Sequence, residues 1–239
     1  MKIVVNAGHG PDTPGKRSPD GSLREYQFNA PVARRIGALL LQYEGVEILH
    51  PFDDSRDVPL QERTDRANSW GANLYVSIHA NAAGDGASWH SAEGIETFVH
   101  DSRPRAAEAL AIAIQRKIIA ATGRADRGVK SQNFHELRET KCTAVLVECG
   151  FMTHKQECEL LKSDAYREKC AQAIASAIAE TYGLRKRPEP APAANDVSPW
   201  AREARDWAVA AGITDGSRPK DTVTREEVWT MLHRMRGKI

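Results

Sequence analysis

Hydrophobic and polar positions change period repeatedly along this chain. It opens on KIVV, a continuous apolar and β-branched run that predicts a buried strand. Phe28, Val32, Ile36 and Leu39 then recur at helical spacing, with Leu40 and Tyr43 beside them. Pro31 fits that helix if Asn29 caps it and the proline lies in the first turn; otherwise it predicts a kink. VEILH reads as a second strand, and LQERTDRANSW as a helix with apolar positions at Leu60, Ala67 and Trp70. NLYVSIHAN predicts a strand ending on a histidine, as the first one does, and GIETFV predicts another. RAAEALAIAIQRKIIAAT is a helix closed by Gly123. TAVLVECGF is a buried strand, and residues 155–182 are largely helical up to Gly183. Strands separated by helices predict an α/β fold, a mostly parallel twisted sheet flanked by helices on both faces.

The pattern breaks between Arg185 and Pro199, where Pro188, Pro190 and Pro192 alternate with other residues. This composition predicts an extended, semi-rigid tether. The expected organisation is therefore a main domain over 1–183, a Pro/Ala-rich linker over 184–197 and a small helical module over 198–239. In the module, Ser198 and Pro199 form a helix start, and Trp200, Ala204, Trp207, Ala208 and Ala211 mark one face before Gly212. Thr224 and Glu227 have capping-box spacing, and Val228, Met231, Leu232 and Met235 mark a second face. A module of this size is marginal alone and would gain from packing on the first domain or on another copy of itself.

Bulk composition narrows the function classes. Among 239 residues, 41% are hydrophobic and 27% charged, which predicts a soluble globular protein with one or two domains. A net charge of +1 gives no electrostatic reason to expect a nucleic-acid partner. No apolar run is long enough to predict membrane insertion. The N-terminus is broken too early for a signal peptide, so synthesis in the cytoplasm is expected, with a separate route out if the substrate lies outside. Cys142, Cys149, Cys158 and Cys170 show no C-x-x-C spacing and read as reduced thiols.

Candidate chemistry comes from strand ends. Ligands collect at the carboxyl ends of parallel strands. His9 ends the first strand, His79 ends NLYVSI and Glu148 ends TAVLV; Glu25 lies in the connection after the first strand. Each has a plainer reading alone: a surface turn for His9, a satisfied core histidine for His79, and for Glu25 a capping box with Ser22. Glu148 is the hardest to dismiss, because a carboxylate closing an apolar run must be paired, metal-linked or wet. Together, two imidazoles and one carboxylate form the ligand set of a catalytic zinc site, leaving a second carboxylate to act as base. His50, His90, His100, His135, His154 and His233 lack such partners. A Cys149 nucleophile is disfavoured, since strand alternation turns it away from Glu148. Gly8 and Gly10 are expected to let the chain turn beside His9 and to leave room for a metal and a bulky substrate.

The segments VVNAGHGP, REYQFN, LQERTDRANSWGANLYVSIHAN and RGVKSQNFHELRETKCTAVLVECGFMTHKQECELL resemble, in order, the motifs of zinc-dependent N-acetylmuramoyl-L-alanine amidases of cell-wall hydrolases and phage endolysins. The resemblance covers nearly all of 1–183. It implies that His9, Glu25 and His79 bind one zinc ion, that Glu148 is the catalytic glutamate and that peptidoglycan is the substrate. Pro31, Cys142 and Cys149 depart from the pattern, and none is a ligand position. The tail resembles half of an S-layer-homology module, through GITDG and TREE, which implies attachment to the wall or its secondary polymers. A stabilising or dimerising hairpin is the plainer reading of the tail. Two other functions stay open: a zinc peptidase acting on the stem peptide, and an inactive wall-binding protein. A phage or prophage endolysin is the expected biological setting.

Overall fold

The computed structural model describes residues 1–188 and 197–236. They fall into two compact units, Met1–Lys186 and Arg187–Ile239. Most of the predicted tether, including Pro190 and Pro192, lies outside the described residues.

The first unit is a six-stranded sheet. Its strands are β1 (Lys2–Ala7), β2 (Glu47–Leu49), β3 (Leu74–Asn81), β4 (Ile95–Val99), β5 (Asp126–Ser131) and β6 (Thr143–Phe151), in the order β2-β1-β3-β6-β4-β5. Every neighbouring pair is parallel except β4 with β6. The exception has a local cause. No helix lies between β3 and β4, and a parallel return needs a long crossover.

The helices are α1 (Glu25–Leu40), α2 (Leu60–Trp70), α3 (Arg105–Thr122), α4 (His135–Glu139), α5 (Lys155–Lys162) and α6 (Asp164–Thr181). Ile3, Val5, Val76, Ile78, Val145 and Val147 point from the sheet into the main core, shared with α1, α3, α5 and α6. The alternate residues Val4, Tyr75 and Leu146 meet Ala67 of α2 and Leu137 of α4 on the other face. Both faces are thus covered, which is why the central strands read as continuous apolar runs.

Two local expectations are corrected, and two details are added. The first helix starts at Glu25, so Asn29 is no cap and Pro31 lies inside the helix. Leu60 is exposed, and the buried face of α2 is Arg63, Thr64 and Ala67. The 155–182 helix is two helices, broken at Ser163. β5 and the five-residue α4 carry no clear period and were not anticipated: β5 is an edge strand whose residues are all at least partly exposed.

The second unit contains a 3-10 turn at Pro199–Ala201, α7 (Arg202–Ala210) and α8 (Arg225–Met235). The predicted cap on α8 is present: Glu227 N donates to Thr224 Oγ1 at 3.2 Å, and Thr224 N donates to Glu227 Oε2 at 2.8 Å. The predicted apolar faces are not buried. Trp200, Trp207, Trp229 and Leu232 are exposed, and neither α7 nor α8 has a buried residue.

Candidate active site

Strand register assembles the site before any side chain is considered. His79 on β3 is level with Glu148 on β6, and Glu148 is level with Glu96 on β4. One step down, Asn6 on β1 is level with Ser77 on β3. Side chains two apart share a sheet face, so two polar rows cross the sheet near the carboxyl ends of β1, β3 and β6. β3 and β6 run on to Asn81 and Phe151, so His79 and Glu148 stand just inside the strand ends rather than on them.

His9 and Glu25 reach the same place from outside the sheet. His9 lies two residues past β1 and is itself left-handed, with φ 59°. A non-glycine residue in that region carries strain, which its surroundings must hold. Arg63 does so. It is buried and donates to the carbonyls of His9 (2.6 Å), Val58 (2.8 Å) and Ala7 and to Asn6 Oδ1 (2.8 Å). The flanking glycines serve packing. A Cβ on Gly8 would lie 2.0 Å from His79 Cε1, and one on Gly10 would lie 2.3 Å from Asp57 Cα. The expectation that they clear space for metal and substrate is thus replaced: Gly8 admits the His79 ring, and Gly10 admits the chain at Asp57.

Glu25 is the first residue of α1 and not part of a Ser22 capping box; Gln27 closes that end by accepting from Arg24 N at 2.8 Å. Its buried carboxylate accepts from Asn29 Nδ2 at 3.2 Å and from Ala80 N at 3.2 Å. Glu25 Oε2 lies 3.2 Å from His9 Nε2, and Glu25 Oε1 lies 2.9 Å from His79 Nδ1. One ligand atom from each of His9, Glu25 and His79 falls within 4.8 Å of the others. Two imidazole nitrogens and a carboxylate at that spacing fit one zinc ion with a position left open.

The electrostatics agree with that fit. Burial lowers His9 to about 4, against the pull of Glu25, so its ring is neutral near pH 7 and able to ligate. Burial alone would lower His79 as well, but the nearby carboxylates of Glu136 and Glu25 raise it to about 10. Burial would raise Glu25, yet its histidine partners bring it down to about 2. The proton between His79 and Glu25 is one that a divalent cation displaces on binding. Glu148 behaves differently. Burial, only partly opposed by His79, lifts it to about 8, and its Oε2 is buried without a hydrogen-bond partner. A partnerless carboxylate oxygen level with His79 is what a proton-transferring group requires.

All four anticipated residues are therefore brought together. The buried polar residues supporting them were not anticipated. Arg63, Asn6, Ser77 and Glu136 underlie His79 and His9, and Glu96 lies beside Glu148, paired with Arg127 and Lys130. HELR gave no signal for Glu136, because it lies in a helix of five residues, too short to show a period. The other histidines are accounted for locally; His154 Nδ1, for example, caps α5 by accepting from Glu157 N at 3.4 Å. Cys149 is fully buried in the main core and its thiol is pushed well up, away from reactivity. All four cysteines are free.

Comparison with known proteins gives a consistent result. The chain is 32% identical over 187 residues to the N-acetylmuramoyl-L-alanine amidase CwlM of Bacillus licheniformis, covering 78% of this chain and 70% of that one. It is 29% identical over 185 residues to the endolysin of Bacillus phage SPP1, covering 77% and 67%. The solved catalytic domain of CwlV, an N-acetylmuramoyl-L-alanine amidase of Bacillus (Paenibacillus) polymyxa var. colistinus, superposes with a TM-score of 0.70 at 32% identity, covering 77% of this chain and all of that domain. Residues 3–180, which contain His9, Glu25, His79 and Glu148, match the Amidase_3 model, and the chain belongs to that family of N-acetylmuramoyl-L-alanine amidases.

Proposed function

We propose that this chain is a zinc-dependent amidase that cleaves the bond between the lactyl carbonyl of N-acetylmuramic acid and the amine of L-alanine in peptidoglycan. The observation that carries the reading is the convergence of His9, Glu25 and His79 beside a carboxylate, Glu148, that has a buried oxygen without a partner. His9, Glu25 and His79 would hold the zinc, which supplies a Lewis acid and acidifies water toward neutral pH. Glu148 does the proton work. It accepts a proton from the water that attacks the carbonyl and returns it to the amine as the C–N bond breaks, leaving a lactyl carboxylate and a free L-alanine amino terminus. Its raised pKa suits a group that must both take and give a proton near neutral pH.

Product analysis on purified peptidoglycan, with metal measured on the same sample, tests this reading. New L-alanine amino termini, about one zinc per chain and loss of turbidity clearing with a chelator are the expected results. New ends within the stem peptide would assign a peptidase instead. No cleavage by zinc-loaded protein would assign a binding protein.

The similarity to the phage SPP1 endolysin supports a lytic role. Expression inside a susceptible host should lyse it only when a membrane-permeabilising protein is co-expressed. For residues 198–239 we propose attachment to peptidoglycan or a secondary wall polymer. The tryptophans that α7, α8 and the turn before them leave exposed suit stacking on sugar rings.

A further inference from the structure

Beneath His79 lies a hydrogen-bonded chain whose donors and acceptors can be assigned one by one. Arg63 can only donate. Its NH1 donates to Asn6 Oδ1 at 2.8 Å, which fixes the Asn6 amide with its Nδ2 on the other side. That Nδ2 has two protons and two acceptors, Glu136 Oε1 at 2.6 Å and Ser77 Oγ at 3.0 Å. Tyr75 OH also donates to Glu136 Oε1, at 2.7 Å. Ser77 Oγ donates its only proton to Glu136 Oε2 at 3.1 Å. Having spent that proton, Ser77 Oγ can only accept from its other neighbour, His79 Nε2, 3.0 Å away. Glu136 itself is 3.6 Å from His79 Nε2, too far for a good direct bond. Asn6, Ser77, Glu136, Tyr75 and Arg63 are all buried, so water does not offer alternative partners.

We infer that Glu136 is a positioning residue: acting through Ser77, it holds a proton on His79 Nε2, so that Nδ1, which faces Glu25 and His9, is the nitrogen that gives up its proton to the metal. The inference rests on the zinc reading above. Ligating histidines depend on a partner at the other ring nitrogen to fix tautomer and orientation. Here the partner is a serine whose own orientation is set by a buried carboxylate supplied by α4.

The assignment makes an unusual prediction for a near-isosteric change. In Glu136→Gln, Asn6 and Tyr75 still donate to Oε1, so that atom must be the amide oxygen. The amide nitrogen then faces Ser77 and donates to it. Ser77 turns its proton toward His79 Nε2, and the His79 proton is driven to Nδ1, where it competes with the metal. Zinc affinity of the full chain, measured by chelator competition, should fall about ten- to a hundredfold in Glu136→Gln. Ser77→Ala, which removes the acceptor for Nε2–H while keeping the Glu136 carboxylate, should weaken zinc in the same direction. In a Ser77→Ala background the further effect of Glu136→Gln should largely vanish. Nitrogen-15 spectra of the zinc-loaded wild type should show His79 protonated at Nε2. Unchanged zinc affinity in a folded Glu136→Gln, or an undiminished effect in the Ser77→Ala background, would overturn the relay while leaving the zinc reading intact. A wild-type chain that takes up no zinc would overturn both.

Discussion

Glu148 has one carboxylate oxygen without a partner, in a site where every neighbouring ionisable group has one. That asymmetry is the basis for proposing Glu148 as the proton-transfer group and its neighbours as ligands. Glu148→Gln should keep zinc and the fold while amidase turnover falls about a hundredfold or more, as expected when a proton-transfer group is removed; zinc content and turnover on the same preparation check this. Stability has its own signature. In metal-free protein, folding favours the neutral form of Glu148, whose value rises from 4.5 to about 8. That contribution is fully present below pH 4.5 and is lost as pH rises through about 8. Glu148→Gln cannot ionise, so relative to wild type it should gain on the order of 1–3 kcal/mol between acid and pH 8. Thermal unfolding in chelator at both pH values reads the difference. Gly8→Ala should abolish zinc binding, because its Cβ would occupy the His79 ring position, 2.0 Å from Cε1.

Elements succeed or fail according to how much of their sequence is set by local rules. α3 ends where its glycine says, with Gly123 left-handed at φ 65°, and α8 starts on its Thr224 box. α1 overrides a local rule. Pro31 gives no N–H to the carbonyl one turn back, yet the helix continues, because Phe28, Val32, Ile36 and Leu40 on one side and Glu25 and Asn29 at the site all need it to. Pro31→Ala should therefore stabilise the catalytic unit, by up to about 3 kcal/mol, and raise its Tm. A lower Tm would mean that the half-buried ring packs better than alanine does. In the second unit, Thr224→Ala should cost about 1 kcal/mol of α8 stability, read by helix content on heating.

At the scale of the whole molecule, the division into two compact units makes the proposed roles separable by experiment. A chain ending at Lys186 should keep zinc and cleave soluble muropeptides at the full-length rate, and should lose most of its retention on sedimented cell walls. Equal retention would assign the second unit a stabilising role instead. The order of elements is the reason to expect that the first unit tolerates such truncation. Its site is built from β1, β3, β6 and α1, all inside Met1–Lys186.

The sequence by itself determined the α/β class and nine strand or helix segments of the first unit, and it singled out His9, Glu25, His79 and Glu148. The segments follow from near neighbours, such as a strand that stops or a glycine after a helix; the four residues stood out only as a set at one sheet rim and through the motifs they lie in, since each has a plainer reading alone. Tertiary structure alone decided three things. It reversed β4, because no crossover helix precedes it. It placed the left-handed turn on His9 and gave the adjacent glycines to packing, because Arg63 from α2 clamps the carbonyls around that turn. And it brought Glu136, 57 residues after His79 in the chain, beneath that imidazole. A buried carboxylate is tolerated only where donors converge on it, and Asn6, Tyr75 and Ser77 converge only after β1 and β3 have paired and α4 has docked against them.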